Sequence, residues 1–194
     1  MAGAFPGLVG LMLATVDNAL WEGLAKWLIL VLILRLFPNQ AEFWESRFSR
    51  FVFLAFLIGL AYGMGEAVFL GFLTKNPQYA PIFNINTFGL FFNRGFVFER
   101  VWAVQIHAIL GAIVGVGTFL YKHRRRWFLS VFIFSMAVFY HTLVDGLIVL
   151  AGLFTPITRY YPRPSLFLFS LTMIGYVIMV ACVYLNKGYS HENE

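Results

Sequence analysis

Four apolar stretches of this chain each carry a glutamate, histidine or aspartate at a spacing suited to acid–base or ligand chemistry. Glu22 and Lys26 stand four apart, so on a helix they share one face. Glu66 closes the run Gly59-Leu-Ala-Tyr-Gly-Met-Gly-Glu66, in which Gly59 and Gly63 form a small-xxx-small pair that admits a neighbouring helix. Tyr62, four residues before Glu66, is placed to hydrogen-bond it. His107, Gly111 and Gly115 form a second stripe at helical spacing. His141 and Asp145 read H-x-x-x-D, and a carboxylate beside an imidazole fixes its tautomer and orientation. Taken singly, each has a plain structural reading: a self-neutralising pair, a hydrogen-bonded acid, an interhelical histidine. Taken together, Glu22, Glu66, His107, His141 and Asp145 are expected to converge on one pocket suited to water activation, metal binding or proton transfer.

The elements that must carry these residues are transmembrane helices. Of 194 residues, 60% are hydrophobic and 12% charged. That is about half the charge of an average soluble domain, and more apolar surface than a core of this size can hide. Lipid is the solvent for the remainder. Five stretches reach the ~20 apolar residues a spanning helix needs. They cover about 8–37, 50–73, 101–121, 127–154 and 165–185. All exceed the length of barrel strands and lack strict alternation, so they read as helices. The expected fold is an all-α integral membrane bundle of about five transmembrane helices, forming one domain over 1–194. Six is the count if Asp17, Asn18, Glu22 and Lys26 split the first segment. The 74–100 connection is long and holds six Phe, so it is read as interfacial or re-entrant.

A formal charge of +5 does not point to nucleic acid, because the basic residues fill short gaps between apolar runs. Threading five spans puts Arg35, Arg47, Arg50, Lys122, Arg124, Arg125, Arg126 and Lys187 on one side. Lys75, Arg94, Arg100, Arg159 and Arg163 fall opposite. This bias predicts a cell-membrane protein with the His123 loop and the C-terminus cytoplasmic. The residues from Met1 to Pro6 lack a basic n-region, which argues against a cleaved signal peptide. Cys182 is the only cysteine and cannot form an internal disulfide. The glycine stripes fit internal packing or a homo-oligomer equally well.

In order and spacing, these residues resemble the PrsW family of membrane-embedded peptidases, which is grouped with the CAAX-processing and bacteriocin-processing membrane proteases. The family's first motif is like E-E-x-x-K, and the segment here is Trp21-Glu22-Gly23-Leu24-Ala25-Lys26. An aromatic before a glutamate after glycines is matched by Tyr62-Gly-Met-Gly-Glu66. A histidine opening a glycine-rich helix, with an arginine upstream, is matched by His107-Ala-Ile-Leu-Gly111 and Arg100. A last histidine followed by Asn or Asp is matched by His141-Thr-Leu-Val-Asp145. The resemblance runs from Trp21 to Gly146. The first glutamate of the family pair is Trp21 here, which hands the role of base to Glu22 or Glu66.

The resemblance implies an intramembrane protease that hydrolyses a peptide bond of a membrane protein or peptide with an activated water. Glu22 or Glu66 would take the proton, and His107 and His141 would position the water or hold a metal. Asp145 would orient His141, with Lys26 and Tyr62 in support. If a metal is held, zinc suits the donors Glu66, His107 and His141. The Trp21 substitution also fits an inactive family member serving as a scaffold or partner subunit. Buried Glu and His fit a third reading, a small transporter or proton conductor.

Overall fold

The computed structural model describes residues 5–75, 96–153 and 164–187. Among them every element is a helix: α1 (Phe5–Leu36), α2 (Pro38–Glu45), α3 (Phe48–Lys75), α4 (Phe96–Arg124), α5 (Trp127–Leu153) and α6 (Pro164–Lys187). The expected loop lies largely in 76–95, outside the described residues.

α3 to α6 each contain a stretch long and apolar enough to cross a membrane: Phe48–Leu70, Arg100–Arg124, Trp127–Leu147 and Leu168–Asn186. The chain is therefore a multi-pass helical membrane protein. α1 is as long, and Asp17, Glu22 and Lys26 interrupt its apolar run. It nevertheless runs unbroken and does not split. Its buried stripe is Thr15, Ala19, Gly23, Lys26, Leu30 and Leu34, a helical face with the lysine in line with the leucines.

α2 was not foreseen. Pro38 ends α1, since the residue before a proline is held out of helical conformation. Phe37 adopts φ −123 and ψ 66, and Pro38 then opens α2 at its first turn. α2 buries none of its residues and meets α1 and α3. Glu45 near its end forms an ion pair with Lys122 at the end of α4.

α4 is the central helix. It packs against α1, α3, α5 and α6, and 83% of its most apolar window is buried, against 28–39% for the other three spans. A helix apolar on all sides belongs in the middle of a bundle. At its end Arg125 takes a positive φ of 49, and the Arg126 N–H reaches back to the Leu120 carbonyl at 3.1 Å. That cap reverses the chain and sets α5 antiparallel beside α4.

In lipid, helices are held by close packing rather than by the hydrophobic effect. The α3–α4 contact shows how close. A Cβ on Gly111 would fall 2.8 Å from Gly59 Cα and against the Ala55 carbonyl; one on Gly63 would fall 2.9 Å from His107 Cβ. The two glycine stripes read from the sequence face each other. Two buried threonines are satisfied locally: Thr118 and Thr172 donate to carbonyls one turn back, at 2.8 and 2.7 Å. Tyr140 crosses instead, its buried hydroxyl donating to the Leu171 carbonyl of α6 at 2.6 Å beside Gly175. Tyr140→Phe is expected to lower stability by about 1 kcal/mol, the scale of one interhelical hydrogen bond in a membrane. An unfolding titration in mixed micelles would read it, and an unchanged midpoint would contradict that role for the hydroxyl.

Candidate functional site

All five expected residues meet in one cluster between α1, α3, α4 and α5. α1 turns Glu22 and Lys26 inward on one face. The Lys26 ammonium, 2% exposed, lies 3.1 Å from Glu22 Oε2 and 4.0 Å from the centre of the Tyr62 ring on α3. Tyr62 thus joins through its ring, which also faces His107 at 5.6 Å. No hydrogen bond joins it to Glu66 among the described residues. α4 supplies His107 and α5 supplies His141. Their rings meet edge to face at 5.4 Å, and both are buried.

Glu22 is the hub. Its Oε2 lies 3.5 Å from His107 Nδ1 and 3.7 Å from His141 Nε2, besides its contact with Lys26. Its Oε1 accepts the Asn18 amide at 2.9 Å. His141 Nε2 also stands 3.6 Å from Asp145 Oδ2, one helical turn along α5. Glu66 approaches His107 from the other ring edge, with Oε2 2.5 Å from Nε2, and its Oε1 lies 3.6 Å from Arg100. That close contact engages the Glu66 carboxylate, whereas His107 Nδ1 is buried without a hydrogen-bond partner among the described residues. A buried polar atom of this kind calls for a partner such as a water or an ion.

The donor set that closes on one point is Glu22, His107 and His141, all within 4.8 Å of one another. Two donors at ~2.0–2.1 Å on a tetrahedral zinc stand about 3.3 Å apart. The 3.5 and 3.7 Å separations at Glu22 Oε2 are near that spacing, and the orphaned His107 Nδ1 faces it. These three residues form a candidate metal-binding triad. The expected set had Glu66 in place of Glu22. Glu66 lies beyond His107, at a separation too short for two ligands of one ion, and its position suits the carboxylate that orients a liganding imidazole.

Trp21 stands outside the cluster. It is 63% exposed, and its indole N–H donates to Asp17 at 3.1 Å. Neighbouring residues on a helix point about a quarter-turn or more apart, so when Glu22 faces inward, residue 21 faces out of the bundle.

Of two further members, Asn18 was missed as a contributor and Arg100 entered only through the motif resemblance. Asn18 lies one turn before Glu22, and its amide also comes 3.5 Å from Asp145 Oδ2. Arg100 lies two turns before His107 on the same face of α4, where it meets Glu66. Helical spacing was the available signal for both.

The cluster is off-centre. Along α4, at about 1.5 Å per residue, His107 lies about 10 Å from Arg100 and about 25 Å from Arg124. On α5, His141 is likewise nearer Leu147 than Trp127. The site therefore sits in the half of the bundle remote from the basic 122–126 turn.

No protein-family model matches the chain, and no curated protein and no solved structure matches it. Fold and site together define a class: a multi-pass helical membrane protein with an acid–base cluster buried between its helices.

Proposed function

We propose that the protein is an intramembrane peptidase of the PrsW-like kind, embedded in the cell membrane with the basic 122–126 turn on the cytoplasmic side. The observation that carries this reading is the joining of Glu22, Glu66, His107, His141 and Asp145, from four helices, in one connected cluster whose centre is Glu22, His107 and His141. Structural glue does not require acid–base residues from four helices to share a centre. A hydrolytic site does.

In this reading water attacks the carbonyl carbon of a membrane-borne peptide bond. Glu22 takes the water proton through Oε2 and returns it to the departing amide nitrogen, so the C–N bond breaks and an acid and an amine leave. His107 and His141 face the developing oxyanion. Glu66 holds the His107 ring, Asp145 holds His141, and Lys26 balances the charge on Glu22. If Glu22, His107 and His141 instead hold a zinc ion, that ion would supply Lewis-acid polarisation of the water and carbonyl, with Glu22 serving as ligand rather than as base.

The scaffold reading draws on Trp21, and the outward position of that side chain favours the catalytic reading over it. The test is cleavage of transmembrane reporter peptides by purified protein in proteoliposomes, with product mass read by spectrometry. Wild type cleaves and His141→Ala does not. Wild-type protein inert across a broad peptide panel, with and without added zinc, would sink the proposal.

A further inference from the structure

Asn18 brings an amide to the cluster, and its position is specific. Its Nδ2 lies 2.9 Å from Glu22 Oε1 on its own helix and 3.5 Å from Asp145 Oδ2 on α5. The His141 ring stands on the other side of the same carboxylate pair, with Nε2 3.7 Å from Glu22 Oε2 and 3.6 Å from Asp145 Oδ2. Amide and imidazole thus bracket two carboxylates and close a ring of four contacts across the α1–α5 interface. The amide orientation follows from chemistry. Turned the other way, its carbonyl oxygen would face two carboxylates, whereas the NH2 group offers a hydrogen to each.

We propose that Asn18 is a positioning residue: by occupying Glu22 Oε1 and tethering it to Asp145, it aims Glu22 Oε2 at His107 and His141. The inference rests on the hydrolytic reading for its kinetic consequence, though not for its geometry. A carboxylate with both oxygens free rotates about its last bond and presents either to the histidines. With Oε1 held by a neutral donor, only Oε2 is left for Lys26, His107 and His141, as observed. Asparagine suits the task better than its isosteres. Aspartate would set a third carboxylate against two, serine carries a single hydrogen for two acceptors, and leucine carries none.

The consequence is a loss in turnover more than in substrate binding, because Asn18 acts on the reacting group through Glu22. Misplacing a reacting group by about 1 Å costs on the order of 100-fold in rate. Asn18→Leu is therefore expected to lower kcat about 100-fold with little change in KM. Asn18→Gln, which keeps the two-hydrogen donor on a longer arm, recovers part of the loss.

The experiment pairs these kinetics in proteoliposomes with a solid-state NMR distance between labelled Glu22 Cδ and His141 Nε2. The expected result is a longer or broadened distance in Asn18→Leu, restored towards wild type in Asn18→Gln, in step with kcat. An unchanged distance in Asn18→Leu overturns the proposal, as does wild-type kcat in that variant. If the wild-type protein itself proves inert, the hydrolytic reading has failed, and the NMR distance alone still decides whether Asn18 aims Glu22.

Discussion

Glu22→Gln is expected to remove hydrolysis, lowering kcat/KM by about 1,000-fold or more, in the range that loss of a general base costs. The same change should also destabilise the protein, and the two effects have separate causes. The catalytic loss follows from Oε2, the one carboxylate oxygen among the described residues that faces Lys26, His107 and His141 together. Glutamine retains the shape and the bond from Asn18 but cannot accept a proton from water. The stability loss follows from Lys26, which is 2% exposed and would lose the carboxylate it pairs with. Breaking one side of a buried ion pair costs about 3–5 kcal/mol. The double variant Glu22→Gln/Lys26→Met separates the two. It should regain much of the thermal midpoint in detergent while remaining inactive. A Glu22→Gln protein that cleaves at the wild-type rate would remove Glu22 from the mechanism and transfer the role of base to Glu66.

Gly111→Leu should prevent the bundle from forming. No rotamer relieves the contact, because the obstacle is backbone: the new Cβ would meet Gly59 Cα at 2.8 Å and the Ala55 carbonyl. α3 and α4 would have to separate, and the separation carries Glu66 away from His107. The expected outcome is aggregated or degraded protein on expression. Gly111→Ala tests the same contact more gently, with a lowered thermal midpoint and a larger loss of turnover than of fold. Gly65→Ala is the control. It lies on the same helix as Glu66, one residue away, but an added Cβ there meets nothing within 4 Å. If Gly111→Ala behaved like Gly65→Ala, the close α3–α4 approach would not be what aligns the site.

Much of this was legible in the sequence because membranes enforce simple rules. Spans are long and apolar, so their positions followed from composition, to within a few residues at most ends. The site residues stood out because ionisable groups inside such spans are costly, about 2.5–3.5 kcal/mol each for Asp, Lys or Arg. Spacing of four then gave their faces: Glu22 with Lys26, and His141 with Asp145. The limits of the reading were equally physical. Periodicity assigns a residue to a face but not to a partner, so it did not distinguish Glu22 from Glu66 as the carboxylate between the two histidines. That choice depends on which ring edge each helix approaches. Asn18 was read only as an interruption of an apolar run, since a neutral amide carries no acid–base signature of its own. α2 escaped notice because a proline followed by seven mostly polar and aromatic residues has no hydrophobic period to display.

The off-centre depth of the cluster has an electrical consequence. A unit charge moved across a whole membrane changes energy by about 2.3 kcal/mol per 100 mV. Along α4 the histidines lie about a third of the way in from Arg100. A proton delivered to the cluster from that face would cross about a third of the voltage drop, for about 0.7 kcal/mol per 100 mV. One delivered from the basic turn would cross the remainder, for about 1.6 kcal/mol per 100 mV. The dependence of activity on applied potential therefore reports which face supplies water and protons to the site, a shallow response marking the Arg100 side and a steep one of opposite sign the other.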